Sequence, residues 1–205
     1  MQPSEGKKTI APSLPRYVHE HIEDGVTMTD REILEQCVEN EEKEKVYIAV
    51  KYLDEGATLD SRAETKTHWV VTWSVTRMQP KDRLGTVEYE AINGYRVLET
   101  LIPRGSVIPD FQYRESFKPS VSGSVRGWIP HPIGSLDRVA RECLIAYADS
   151  FGEPFRLGNA EGKNCITWVK EMLHCFYRDH GSEFKLDVAQ LEEGIKMAEK
   201  SCMSC

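Results

Sequence analysis

His68-Trp69-Val70-Val71-Thr72-Trp73-Ser74-Val75-Thr76 alternates with a period of two. Trp69, Val71, Trp73 and Val75 share one face of an extended chain, and His68, Val70, Thr72 and Ser74 the other. A strand that turns two indoles to one side needs a layer of side chains to cover them, so this stretch predicts a sheet packed on helices. His68 opens the strand on the face away from the indoles.

Upstream, residues 46–53 (Val-Tyr-Ile-Ala-Val-Lys-Tyr-Leu) are apolar at nearly every position, the pattern of a strand covered on both faces. Downstream, residues 79–85 contain Pro80, Asp82 and Gly85 and read as a hairpin connection, with residues 86–92 as the return strand. Val87, Tyr89 and Ala91 share one face of that strand, and Glu88 and Glu90 the other. Asn93-Gly94 has the composition of a two-residue turn, after which residues 95–102 supply a further strand. Residues 103–132 carry Pro103, Pro109, Pro119, Pro130 and Pro132 and read as a long irregular segment in which short strands are hidden or absent.

Helices are expected on either side of these strands. Thr29-Asp30-Arg31-Glu32 has the form of a capping box and predicts a helix from Asp30 to about Asn40. Ser135 is a cap for a helix with Leu136, Val139, Ala140, Cys143, Leu144 and Tyr147 on one stripe. Asn164 caps a helix whose apolar stripe is Cys165, Trp168, Val169, Met172, Leu173 and Phe176, and Asp187 caps a last one reaching about Lys200. The expected fold is α+β, an antiparallel sheet of about five strands packed against helices. Residues 1–25, rich in Pro, Ser and charge, form a flexible N-terminal arm, and 26–205 a single domain.

Composition narrows the function. A net charge of −7 without clustered Lys and Arg argues against a nucleic-acid partner. No apolar run approaches the ~18 residues of a membrane span. The first fifteen residues lack the order of a secretory signal, which predicts a cytoplasmic chain with reduced thiols, so the six widely spaced cysteines are read as individual thiols. His174, Cys175 and His180 with Cys202 and Cys205 match no closed zinc pattern; no metal and no cofactor are expected.

Cys165 is the residue with chemistry in prospect. At a capped helix start, partial positive charge and unpaired N–H groups favour a thiolate. A thiol on an apolar stripe is ordinarily a small core residue, so the functional reading needs a base. Of the six histidines, His68 is the one a sheet could hold rigidly against a helix N-terminus, with Glu88 or Glu90 of the return strand to orient it.

The order of these elements, His68-Trp69 heading a strand and Asn164-Cys165-Ile166-Thr167-Trp168-Val169 opening a late helix, resembles the circularly permuted papain-like, NlpC-type cysteine hydrolases and acyltransferases. The resemblance implies a permuted papain-like fold, Cys165 as nucleophile and His68 as base. It has no distinctive motif for the third polar residue, for which strand position suggests Glu88. It implies hydrolysis or acyl transfer on an amide or ester of a small-molecule or peptide substrate, through a thioester. A non-catalytic interaction module on the same fold, or non-hydrolytic chemistry in the same pocket, are the competing readings.

Overall fold

A computed structural model describes residue 16 and residues 20–23, 26–52, 67–83, 86–101, 112–123, 125–151 and 164–203. Among these residues, eight strands and four helices follow one another in the order β1 (Glu20–Glu23), β2 (Val26–Thr29), α1 (Asp30–Glu35), β3 (Cys37–Val38), β4 (Glu44–Tyr52), β5 (Thr67–Arg83), β6 (Thr86–Leu101), β7 (Gln112–Pro119), β8 (Ile129–Leu136), α2 (Arg138–Ser150), α3 (Cys165–Phe184) and α4 (Val188–Met203). Six strands make one antiparallel sheet in the order β7-β6-β5-β4-β8, with β3 pairing to β5; β1 and β2 form a separate hairpin. The α+β class is as expected, with one more strand in the sheet.

The period-two pattern of β5 sets the layers. Trp69, Val71, Trp73 and Val75 join Ile48 and Val50 of β4 and Leu98 of β6 in one core with Leu144 of α2, Trp168, Val169, Met172, Leu173 and Phe176 of α3 and Leu191 of α4. Trp69, Trp73 and Trp168 are fully buried, and each contributes on the order of 3 kcal/mol by removing its indole from water. The other face of the sheet carries a smaller cluster, Ala49, Val70 and Val97, against Tyr95 and Trp128. Burial on both faces of β4 explains why its sequence is almost continuously apolar.

Several boundaries differ from the sequence expectation. Asn93-Gly94 is not a turn: β6 runs unbroken through it, with Asn93 opposite Thr76 and Gly94 opposite Val75. A Cβ on Gly94 would lie 2.5 Å from the Lys118 carbonyl oxygen and from the Phe117 ring, so the glycine is there to let β7 approach. The segment 103–132 contains β7 and the start of β8, whose Pro130 and Pro132 are tolerated because β8 is an edge strand. Ser135 lies in β8, and the cap of α2 is Asp137, whose carboxylate accepts from the Ala140 N–H at 2.9 Å. α1 stops at Glu35, and Cys37 and Val38, expected in the helix, pair instead with Arg77 and Thr76. Residues 1–15 of the expected arm lie outside the described residues, whereas β1 within it pairs with β2.

Candidate active site

The N-terminus of α3 is built as its sequence predicts. The Asn164 side chain accepts the Thr167 N–H at 3.0 Å, the Thr167 hydroxyl accepts the Asn164 N–H at 3.2 Å, and the helix proper begins at Cys165. This reciprocal cap fixes where the Cys165 thiol emerges.

What the thiol meets is decided by an opening in the sheet. The β5–β6 ladder holds one register from Arg83/Thr86 to Val71/Leu98 and stops there, although β5 continues back to Thr67 and β6 on to Leu101. The outer strands stay attached, β4 to Thr67 and β7 to Leu101. Backbone groups of β5 that would face β6 are thereby released, and Cys165 uses them: its thiol lies 4.0 Å from the Thr67 carbonyl oxygen, and its sulfur accepts the Trp69 N–H. The sulfur also accepts the N–H of Ile166 in its own first turn. Among the described residues no group accepts the N–H of Cys165 itself.

His68 stands at the same opening. It is buried, it and the Cys165 thiol act electrostatically on one another, and its Nε2 lies 3.0 Å from Oε2 of Glu99 on β6. With Nε2 engaged, Nδ1 is the ring nitrogen left to the sulfur. The arrangement continues outward: Glu99 Oε1 is 3.7 Å from Arg114 of β7, and Arg114 holds Asp30, at the start of α1, through two nitrogens at 2.8 and 3.2 Å. Asp30 in turn lies 2.7 Å from Nε2 of His21 on β1.

Electrostatics bias this pair toward charge separation. Burial alone would raise the Cys165 pKa, but the His68 charge, the His68 hydrogen bond and the two backbone N–H groups outweigh it and bring the thiol below its ordinary value. Burial alone would lower the His68 pKa; the Cys165 charge, its hydrogen bond and Glu99 reverse that and push it up to about 10. Burial likewise opposes ionisation of Glu99, and the hydrogen bond and charge of His68, with Lys118 and Arg114, pull its carboxyl down to about 2. These influences shift the pair toward a thiolate beside an imidazolium, backed by a carboxylate.

Of the residues singled out in the sequence, Cys165 and His68 come together. The carboxylate on His68 is Glu99, not Glu88. Register gives the reason: Glu88 pairs with Lys81 at the exposed far part of the hairpin, about 36 Å along the strand from Glu99. Its side chain also points to the opposite face, since an even β6 position opposes an odd β5 position. Glu90 shares that face and bonds Lys81 at 2.9 Å. His131, His174 and His180 sit elsewhere: His131 against the Ser201 hydroxyl at 3.0 Å, His174 against Glu192 at 3.0 Å, His180 against Glu183 at 3.2 Å. His174, His180 and Cys202 therefore belong to three different neighbourhoods, Cys202 accepting the Trp69 indole N–H at 3.2 Å, and no cluster of three metal-ligating side chains occurs among the described residues. No helix among them is long and apolar enough to cross a membrane.

No family model, no curated protein and no solved structure matches the chain.

Proposed function

We propose that the chain is a cysteine-dependent hydrolase or acyltransferase of the permuted papain-like kind, acting on an amide or ester. Cys165 is its nucleophile, His68 its base and acid, and Glu99 the residue that orients the imidazole. One observation carries the reading: a thiol at a capped helix start is coupled in charge to a buried imidazole that is held by a buried carboxylate. A core cysteine needs none of these partners, and a thiol pKa displaced downward despite burial is what nucleophilic catalysis requires.

In the reaction the Cys165 sulfur adds to the substrate carbonyl carbon, forming the S–C bond while the carbonyl oxygen takes up the negative charge. The Cys165 N–H, without an acceptor among the described residues, is positioned at the helix start to donate to that oxygen. Collapse expels the amine or alcohol, which takes the proton held on His68. A water or acceptor alcohol or amine then gives its proton to His68, attacks the thioester carbonyl and releases Cys165. Glu99 stabilises the imidazolium in both halves and keeps the ring in the orientation that faces the sulfur.

The experiment is trapping of the acyl-enzyme. A panel of p-nitrophenyl esters is expected to give a burst of p-nitrophenol and a mass increase localised to the peptide containing Cys165. An acyl group found on other residues, or a burst that survives Cys165→Ala, overturns the proposal.

A further inference from the structure

The mechanism uses one thiol, and a second stands beside it. Cys202, in the last turn of α4, lies 3.3 Å from the Thr67 hydroxyl and accepts the indole N–H of Trp69 at 3.2 Å. Cys165 lies 4.0 Å from the carbonyl oxygen of the same Thr67. The sulfur that opens α3 and the sulfur that closes α4 therefore touch the two oxygens of one residue. A further contact holds the end of α4 there: the Tyr52 hydroxyl donates to the Ser201 carbonyl, and Tyr52 pairs with Thr67 between β4 and β5. Cys165 and Cys202 are both half-buried.

Packing alone does not ask for a sulfur at Cys202. Of the three fully buried indoles, Trp73 gives its N–H to the Glu39 carboxylate and Trp168 to the Phe151 carbonyl, whereas Trp69 gives its own to sulfur, a weak acceptor. A serine hydroxyl in that place would accept more strongly from Trp69 and serve Thr67 as well. The other described thiols lie in other neighbourhoods: Cys37 bonds the Ile33 carbonyl, Cys143 is beside His180, and Cys175 is roughly 15 Å along α3 from Cys165.

Building on Cys165 as the reactive nucleophile, we propose that Cys202 is its resolving thiol, so that a peroxide joins the two in a disulfide that switches the site off reversibly. In the first step the Cys165 thiolate attacks hydrogen peroxide: an S–O bond forms, the O–O bond breaks, and the leaving hydroxide takes a proton from the His68 imidazolium and departs as water. In the second the Cys202 sulfur attacks the sulfur of the resulting sulfenic acid: the S–S bond forms, the S–O bond breaks, and the hydroxide leaves with the Cys202 proton as a second water. Two thiols are oxidised and one peroxide is reduced. The bond requires Cα atoms within about 7 Å of one another. The adjustment falls on the last turn of α4, where Cys202 is next to the helix end and a terminal turn opens at little cost. The disulfide withholds the nucleophile from substrate and shields it from irreversible oxidation to sulfinic acid.

Peptide mapping of the full chain tests this. After brief exposure to hydrogen peroxide and digestion with trypsin without reductant, the peptide of residues 164–170 is expected joined to that of residues 201–205, lighter by two hydrogens than the two apart. Dithiothreitol should then restore iodoacetamide labelling of Cys165 nearly in full. Cys205→Ser, which removes the other thiol of the C-terminal peptide, should keep the link. Cys202→Ser should lose it, leaving Cys165 as sulfinic acid and lowering the share recovered by dithiothreitol by about fivefold or more. The wild-type link is read without any variant, so it does not depend on how a variant folds. Unlinked Cys165 sulfinic acid in the wild type, a link made through Cys205 or Cys175, or equal recovery in wild type and Cys202→Ser overturns the resolving role and leaves the nucleophile standing. A wild-type Cys165 that neither oxidises nor is alkylated faster than Cys143 overturns the hydrolase reading instead, and the resolving role with it.

Discussion

Among the described residues are two cysteine–histidine–glutamate groupings, and their difference defines what the site requires. Cys143 of α2 lies 3.9 Å from both Nδ1 and Nε2 of His180, and His180 Nδ1 is 3.2 Å from Glu183. Equal distances put that sulfur over the ring, where neither ring N–H can point at it. The imidazole is packed among Phe176, Phe184 and Tyr147, with ring centroids 5.3, 5.9 and 5.7 Å away. Cys143 sits inside its helix, away from the unpaired N–H groups of the first turn, and burial followed by the Glu183 charge raises its pKa. Cys165 has the same residue types around it but a ring held on a buried carboxylate, backbone donors and a helix start. Proximity of thiol and imidazole is common to both; the buried carboxylate and the helix start distinguish them.

The largest effect that would break this comparison is removal of each sulfur. Cys165→Ala is expected to abolish acyl-enzyme formation, a loss of about a thousandfold or more, while Cys143→Ala leaves the rate within about twofold. Comparable losses in the two variants would contradict the distinction. Next comes the imidazole. His68→Asn should return the Cys165 thiol toward ordinary values and slow its alkylation at pH 6, because each unit by which the pKa rises cuts the thiolate fraction tenfold there. His180→Asn should leave Cys143 no less reactive.

Glu99→Gln ranks third, with an expected loss of about tenfold in turnover, against no measurable change for Glu88→Gln. It also has a pH signature. The folded Glu99 pKa is depressed to about 2, so its contribution to stability is present above the unfolded carboxylate value of about 4.3 and is lost as pH falls toward 2. Acid unfolding of Glu99→Gln should therefore lack part of the wild-type slope in that interval, whereas Glu88→Gln should retain it.

The identity of this third residue marks where sequence reading ended. The helix cap, the apolar stripe of α3 and the face parity of His68 are local patterns, and Asn164, Cys165 and His68 were legible from them. Glu99 depends on β6 running as one strand of sixteen residues from Thr86 to Leu101. Reading Asn93-Gly94 as a turn divides that strand and loses the register, so nearer carboxylates on the return strand, Glu88 or Glu90, appear better placed. The local signal for a turn and the tertiary need for a bare Cα beside β7 are the same glycine, and only the neighbouring strand tells them apart. The opening between β5 and β6, on which the site depends, has no sequence signature at all, because it is a place where pairing stops while both strands continue.

The smallest expected effect concerns the cap. Asn164→Ala should cost about 1 kcal/mol of stability and slow Cys165 alkylation a few-fold, by loosening the first turn that supplies the Ile166 N–H. Cys143 should not respond.

The most direct measurement of the account is the pH dependence of iodoacetamide alkylation, followed separately at Cys165 and Cys143 in the wild-type chain. Cys165 is expected to be alkylated as a thiolate at pH values below its ordinary 9.0, while Cys143 reacts only above that value. A Cys165 profile that rises at or above 9.0, together with Cys143, would contradict the thiolate–imidazolium pair on which the mechanism stands.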